Sequence, residues 1–184
     1  TEKDDKKAVE LYKMAAEQGY APAQYDLGIC YRQGEGVDKD PLTAISWYLK
    51  AAEQGHGGAM NNLGIMYDNG IGVNVDYEKA FHYYKLSAET GNMEGQFCLG
   101  DMYFSGRGVE QNYEEAVKWF KEAAEQGEPD SLFHLAICYH DGLGVEVDQN
   151  LVVHYLYEAA DRGFQRAIDV INDNKIPRPI KNIK

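Results

Sequence analysis

The sequence predicts an all-α solenoid of about five helix-turn-helix repeats, each 36 residues long. Two motifs carry this prediction, because both return with the same spacing. A single glycine follows the first helix of every repeat, at Gly19, Gly55, Gly91, Gly127 and Gly163. A Gly-x-Gly-Val turn follows the second helix at 34–37, 70–73, 106–109 and 142–145. A constant period of this size is typical of stacked supersecondary units, since each unit buries its apolar face only against its neighbours.

The period places five repeats along the chain, followed by a basic, proline-containing tail. Their boundaries are 4–39, 40–75, 76–111, 112–147 and 148–174, and the tail is 175–184. Each first helix is predicted to follow a short polar side chain, which can accept hydrogen bonds from the first N–H groups. These caps are Asp4, Asp40, Asp76, Asn112 and Asp148. The fifth repeat lacks the Gly-x-Gly-Val turn, so residues 165–174 are predicted to form a degenerate capping helix that closes the core.

Repeat 2 shows how each element is expected to form. Apolar and small residues of the first helix make one stripe on a 3.6-residue period, centred on Ala44, Trp47, Tyr48 and Ala51. The glycine after this helix and both glycines of the turn are predicted to adopt positive φ. A second helix is expected to begin near Ala59. Tyrosines recur at two fixed positions of the repeat, which favours core packing over ligand binding.

Three second helices carry a glycine in the middle, where glycine costs about 1 kcal/mol relative to alanine. These are Gly28, Gly64 and Gly100, and Ala136 takes the same position in repeat 4. The pattern predicts a close approach by the backbone of the next helix. It also predicts that Gly64→Ala is nearly neutral, whereas Gly64→Leu overpacks the contact at a cost of about 1–3 kcal/mol.

The repeated motif resembles a known family. The motif is Ala-Ala-x-x-Gly, then Ala-x-x-x-Leu-Gly-x-x-Tyr-x-x-Gly-x-Gly-Val, then Asp at the next cap, and it covers nearly the whole chain. It is similar to the Sel1-like repeat (SLR), a relative of the tetratricopeptide repeat. The resemblance implies a right-handed α/α superhelix with a concave binding surface and a role as a scaffold or adaptor. It also supplies an alternative, a small-molecule binder or hydrolase of the β-lactam type, which has been attributed to disulfide-rich relatives.

Composition excludes some classes of partner. The formal net charge of −12 argues against nucleic acid, whose binding needs clustered Lys and Arg. No apolar run of about 18 residues is present, so no membrane insertion is expected. Some secreted relatives join the two helices of a repeat by a cysteine pair. Here the first helices contain no cysteine, so Cys30, Cys98 and Cys138 favour a reducing, cytoplasmic compartment. A secreted or periplasmic location is left open if a signal peptide was removed.

The sequence shows no constellation typical of catalysis, and no catalytic, cofactor-binding or metal-binding residue is predicted. His82 and His154 share one register but lie two repeats apart, about 20 Å if packed helices are spaced by about 10 Å. His134 and His140 point in different directions on one helix. The chain is therefore predicted not to be an enzyme. A structural spacer within a longer chain remains a further alternative.

Function is expected at the positions that vary between repeats, on the face of the first helix opposite the core. By resemblance to tetratricopeptide arrays, this face lines the concave side and binds a peptide or helix of a partner protein. The predicted partner-binding residues are Glu10, Lys13, Met14, Ser46, Leu49, Lys50, His82, Lys85, Leu86, Lys118, Lys121, Glu122, His154 and Tyr157. Met14, Leu49, Leu86 and Tyr157 are apolar where water is expected.

A neighbouring position on the same helices is acidic in every repeat. It reads Glu17, Glu53, Glu89, Glu125 and Asp161. An acid near a helix C-terminus opposes the helix dipole, so helix stability does not explain it. Two readings are open, a local bond to the loop between the helices or an acidic ladder for basic partners.

The tail has the opposite charge. Lys175, Arg178, Lys181 and Lys184 alternate with isoleucines and prolines. Such an extended basic segment suits an acidic groove, so weak self-association through the tail is predicted. Placement of the tail along the chain's own convex face is left open. The alternative is an end without a partner.

Overall fold

The protein is described by a computed structural model that covers residues 2–178, with side chains from Asp4 onward. These residues form ten α-helices and no strand, which confirms the all-α prediction. In chain order the helices are α1 (Glu2–Glu17), α2 (Ala21–Gln33), α3 (Pro41–Glu53), α4 (Gly57–Asn69), α5 (Tyr77–Glu89), α6 (Met93–Ser105), α7 (Tyr113–Glu125), α8 (Pro129–Asp141), α9 (Gln149–Asp161) and α10 (Gln165–Asp173). None of the described helices is both long and apolar enough to cross a membrane.

The chain divides into two compact parts, Thr1–Gly95 and Gln96–Lys184. In the first part, the core lies where the second helix of one hairpin meets the first helix of the next, and Leu27, Tyr48 and Leu63 are fully enclosed there. In the second part, one apolar cluster joins α7 to α10 and contains Phe120 and Leu135. Each hairpin therefore buries its apolar stripe against a neighbouring hairpin. The boundaries of the repeats stay a prediction.

Polar caps begin most first helices, as the sequence predicts. The Asp40 carboxylate accepts hydrogen bonds from the N–H groups of Leu42 and Thr43 at 3.1 and 3.2 Å. The equivalent side chains that cap α5, α7 and α9 are Asp76, Asn112 and Asp148. The prediction for Asp4 is wrong, because α1 already begins at Glu2 and Asp4 lies inside it.

The glycines of the turns adopt the left-handed backbone conformation, which confirms their predicted role. In repeat 2 the φ angles of Gly70 and Gly72 are 68° and 75°. A Cβ atom on Gly72 would lie 2.6 Å from Cβ of Pro41. The turn therefore packs against the start of the first helix of its own hairpin, and a side chain has no room there.

Close contact also explains the glycines in the middle of second helices, but the nearest contacting group differs from the predicted backbone. The nearest atoms at each glycine belong to an aromatic ring of the next first helix, and at Gly100 a backbone atom, the carbonyl oxygen of Ala116, also lies 3.3 Å from an added Cβ. The pairs are Gly28 with Tyr48, Gly64 with Tyr84, and Gly100 with Phe120, and an added Cβ would lie 2.5 to 2.7 Å from ring carbons.

The expectation that Gly64→Ala is nearly neutral is consequently wrong, since a methyl group at Gly64 would collide with the ring of Tyr84. Repeat 4 has Ala136, and the residue 20 positions later is Leu156 instead of an aromatic residue. Both belong to one buried cluster. Alanine is therefore accepted where the opposing side chain is leucine.

The end of the described chain folds back on the preceding helices. Helix α10 buries Ala167 and Ile171 and is otherwise largely exposed. Lys175 adopts a positive φ of 50°, and the N–H of Ile176 donates to the carbonyl oxygen of Ile171 at 3.0 Å. This reversal directs residues 176–178 toward α9.

Candidate interaction surface

All the predicted partner-binding residues lie on first helices, and the structure buries none of them completely. The exposed ones are Glu10, Lys13 and Met14 on α1, Ser46 and Lys50 on α3, His82 and Lys85 on α5, Lys118 and Glu122 on α7, and His154 on α9. The half-buried ones are Leu49, Leu86, Lys121 and Tyr157. Since the chain forms two compact parts, each part presents its own share of this surface.

In the N-terminal part, the surface is less apolar than the sequence suggests. Leu49 packs against the buried cluster of its own repeat, so only part of its side chain faces water. Leu86 is also half-buried. Of the four predicted apolar residues, Met14 is the one that is mostly exposed, at 61%, and the Lys50 ammonium covers the ring of Trp47 at 4.0 Å. Side chains that lie at the edge of the stripe lean onto the core, which the repeat pattern alone does not reveal.

In the C-terminal part, the surface contains a cavity of about 180 Å³ between α7, α8 and α9. Its floor is apolar and its rim is charged. The lining residues are Lys121, Ala124, Glu125, Leu132, Leu135, Tyr155 and Glu158. Burial, with the neighbouring Tyr139 as the next cause, raises the pKa of Tyr155, so its hydroxyl stays a neutral donor at physiological pH.

The folded-back segment occupies the predicted surface next to this cavity. The Tyr157 hydroxyl donates a hydrogen bond to the carbonyl oxygen of Ile176 at 2.7 Å. The Arg178 guanidinium pairs with both carboxylate oxygens of Asp161 and lies 5.3 Å from the centre of the Tyr157 ring. Ile176 packs against the apolar cluster of this part of the chain. A short segment of the chain itself is thus bound through its backbone, an apolar side chain and a cation.

The acidic ladder takes part in this contact through Asp161. The other members, Glu17, Glu53, Glu89 and Glu125, are exposed. Both readings of the invariant acid stay predictions for these four residues. At Asp161 the acid binds a basic group, the Arg178 guanidinium.

Sequence reasoning missed two of the residues that shape the surface. Tyr155 lines the cavity as well as packing against the apolar cluster. Glu158 also lines the cavity and is absent from the predicted set. Asp161 belongs to the acidic positions that the sequence offers to basic partners, and the basic tail is its complement.

The structure offers little for other chemistry. No group of three His, Cys, Asp or Glu side chains in the described part of the chain could hold a metal ion. Burial raises the pKa of the Cys138 thiol to about 11, so it is not a nucleophile at neutral pH. The hydroxyl of Tyr48 is equally enclosed, and burial raises its pKa to about 12.

Comparison with known proteins places the repeat in one family. The Sel1 repeat profile matches at residues 1–20, 21–56, 58–92, 94–128 and 129–164. No curated protein matches the chain significantly.

Solved structures include close matches. A protective antigen of uropathogenic Escherichia coli, c5321, which displays an SLR fold, is 42% identical with a TM-score of 0.83, over 86% of this chain and 34% of the antigen. A Sel1 repeat protein from Oxalobacter formigenes is 32% identical with a TM-score of 0.84, over 96% of this chain and 72% of that protein. Cysteine-rich protein B of Helicobacter pylori is 29% identical with a TM-score of 0.57, over 71% of this chain and 94% of that protein.

This chain spans about a third of the length of the Escherichia coli antigen. Its helical hairpins, its repeated profile matches and its similarity to two SLR structures above 30% identity agree with one another. The chain belongs to the Sel1 repeat family.

Proposed function

We propose that this chain is an interaction scaffold that binds an extended basic peptide on the first-helix face of its C-terminal part, formed by α7 and α9. Sel1 repeat proteins are generally non-catalytic scaffolds for protein interactions. To this general role the proposal adds three details, namely the face that binds, the extended conformation of the bound peptide and its positive charge.

The segment 176–178 is the observation that carries the proposal. It has no regular secondary structure, it contributes a carbonyl oxygen to Tyr157, and its arginine pairs with Asp161. Backbone hydrogen bonds favour an extended ligand of many sequences, while a charge-assisted pair and an apolar contact give selectivity. A peptide of a partner protein with a similar spacing of apolar and basic residues can use the same contacts.

Helix α7 shares the acidic position of α9, whereas Lys121 stands at the position of Tyr157. Glu125 is the ladder residue of α7, as Asp161 is of α9, and Glu125 also lines the cavity between the two helices. The apolar floor beside it includes Leu132 and Leu135. The net charge of −12 favours the approach of a basic segment. The predicted residues on α1, α3 and α5, and self-association through the tail, stay predictions.

A binding experiment with the chain truncated after Asn174 tests this proposal. The probe is a labelled peptide with the sequence of residues 175–184, and its fluorescence anisotropy reports binding. Asp161→Asn should weaken binding about three- to fivefold, because an exposed charge-assisted pair contributes up to about 1 kcal/mol. Salt at 0.5 M should weaken it as well, since exposed charges are screened.

Two controls separate the site from general charge attraction. Glu17→Gln removes the ladder acid of α1 and should leave peptide binding unchanged. A peptide with Arg178→Gln should bind as weakly to the unmodified truncated chain as the unmodified peptide binds to Asp161→Asn. Equal affinity of the two peptides, or an equal loss with Glu17→Gln and Asp161→Asn, would contradict the assignment to α9.

A further inference from the structure

A further cavity of the C-terminal part, of about 150 Å³, lies between α8, α9 and α10. It shares no lining residue with the cavity between α7, α8 and α9. Its walls are largely apolar and include Ala136, Val152, Leu156 and Val170. Two exposed polar side chains, His140 and Asp141, stand at its edge. Apolar cavities of about this size bind a single benzene ring.

Three other repeats place an aromatic ring where this hairpin has Leu156. At intervals of 36 residues, its equivalents are Tyr48, Tyr84 and Phe120. Each of these rings lies against the mid-helix glycine of the preceding second helix, and Ala136 stands at the position of those glycines. Leucine is shorter than tyrosine or phenylalanine, and both Leu156 and Ala136 line the cavity. The cavity therefore lies where the other repeats pack a ring.

The two tyrosine rings also show where a hydroxyl group lies at this place. The Tyr84 hydroxyl donates a hydrogen bond to the Asp68 carboxylate at 3.5 Å. Burial raises the pKa of the Tyr48 hydroxyl and the charge of Arg32 opposes this rise, which places Arg32 near that oxygen. Arg32 and Asp68 hold the same position of their second helices, 16 residues before the tyrosine. In the hairpin with the cavity, this position is His140.

The ring of His140 can accept a hydroxyl proton through its Nε2 atom. Its Nδ1 atom lies 2.6 Å from Oδ1 of Asp141, a carboxylate oxygen that accepts the Nδ1–H. A hydrogen bond at one nitrogen sets the tautomer, so Nε2 of the neutral ring carries a lone pair. Apolar walls and the nearby carboxylate disfavour an anion, whereas a phenol is neutral at physiological pH. A phenol therefore matches both the walls and the edge of the cavity.

We propose that the cavity between α8, α9 and α10 is a binding site for a small monocyclic phenol. The aromatic ring packs on Ala136, Leu156 and Val170, and the hydroxyl donates a hydrogen bond to Nε2 of His140. A volume of about 150 Å³ holds the whole molecule, so the ligand is a free small molecule. The site is independent of the peptide surface of α7 and α9.

Titration of the full chain with phenol, followed by the NMR signals of its methyl groups, tests the proposal. The signals of Val152, Leu156 and Val170 should shift together, with a dissociation constant on the order of 1 mM for so small a ligand. Toluene is the matched ligand, because a methyl group replaces the hydroxyl. His140→Ala removes the acceptor and should lower the ratio of phenol affinity to toluene affinity about three- to tenfold. His82→Ala, which changes an exposed histidine of α5, should leave this ratio unchanged.

A variant that fills the cavity tests the place of binding. Ala136→Gly combined with Leu156→Tyr reproduces the pair of Gly64 and Tyr84, and it should abolish the binding of both ligands. The glycine has to accompany the tyrosine, because a methyl group at Gly64 would collide with the ring of Tyr84. Circular dichroism checks that this variant is folded. If it is not, His140→Ala still decides the proposal, since it changes an exposed side chain.

Four outcomes would overturn the proposal. One is the absence of any shift of the three methyl signals up to saturating phenol. Another is a ratio of the two affinities that His140→Ala leaves unchanged. A third is phenol binding that persists in the folded, cavity-filled variant. The fourth is tighter binding of N-acetyltyrosinamide than of phenol, because a tyrosine side chain of a partner protein would then be the occupant.

Discussion

Replacing Gly64 by alanine is expected to destabilise the protein, although alanine is the better helix former. The added methyl group would lie 2.5 Å from two ring carbons of Tyr84 and 3.0 Å from a third. The ring cannot move into solvent, because Tyr84 is only 3% exposed. Overpacking of this kind costs about 1–3 kcal/mol, and the gain in helix propensity offsets about 1 kcal/mol. The expected net loss in the free energy of unfolding is therefore up to about 2 kcal/mol.

A second background isolates the ring as the cause. Tyr84→Leu reproduces the combination of Ala136 and Leu156 in repeat 4, so in this background Gly64→Ala should stabilise the protein by up to about 1 kcal/mol. Ala136→Gly is the matched control and should lose about the same amount. The change of sign between the two backgrounds is the signature of a direct contact.

Urea unfolding followed by circular dichroism measures all of these variants. The slope of the free energy against urea concentration should stay constant, because the surface exposed on unfolding hardly changes. If Gly64→Ala stabilises the protein equally with Tyr84 and with Leu at position 84, the ring does not restrict this position. The account of the mid-helix glycines would then be refuted.

Two further predictions concern single side chains. The pKa of Tyr48 is raised from 10.0 to about 12 by burial, so between these pH values the unfolded chain loses this proton first. This group should lower the free energy of unfolding by an amount on the order of 2 kcal/mol as the pH rises through this range. Urea titrations at several pH values measure the effect, and Tyr48→Phe should remove this contribution to the pH dependence. Asn112→Ala removes the cap of α7 and should lower the free energy of unfolding by about 1 kcal/mol. Asn112→Asp keeps a capping oxygen and should leave the stability unchanged. Equal urea midpoints for these two variants would contradict a capping role.

The peptide surface shows where prediction from a repeat is weaker. The face of the first helices could be named from the variable positions, and every residue chosen is at least partly accessible. Leu49 faces water only in part, because a long side chain at the edge of a stripe can bend onto the core. The sequence offers an acidic position at Asp161 and a basic tail, but the particular pairing of Arg178 with Asp161 depends on the chain reversal at Lys175.

The sequence by itself determined the local structure of this protein. Caps such as Asp40 and left-handed glycines such as Gly70 act within a few residues, and the 36-residue period repeats them. Only the tertiary structure decided which side chain meets which across neighbouring hairpins. Gly64 and Tyr84 are 20 positions apart, and Gln24 and Gln54 are 30 apart. Such pairs differ from repeat to repeat while the period stays constant, because packing depends on the size and shape of both partners and the period records only their positions.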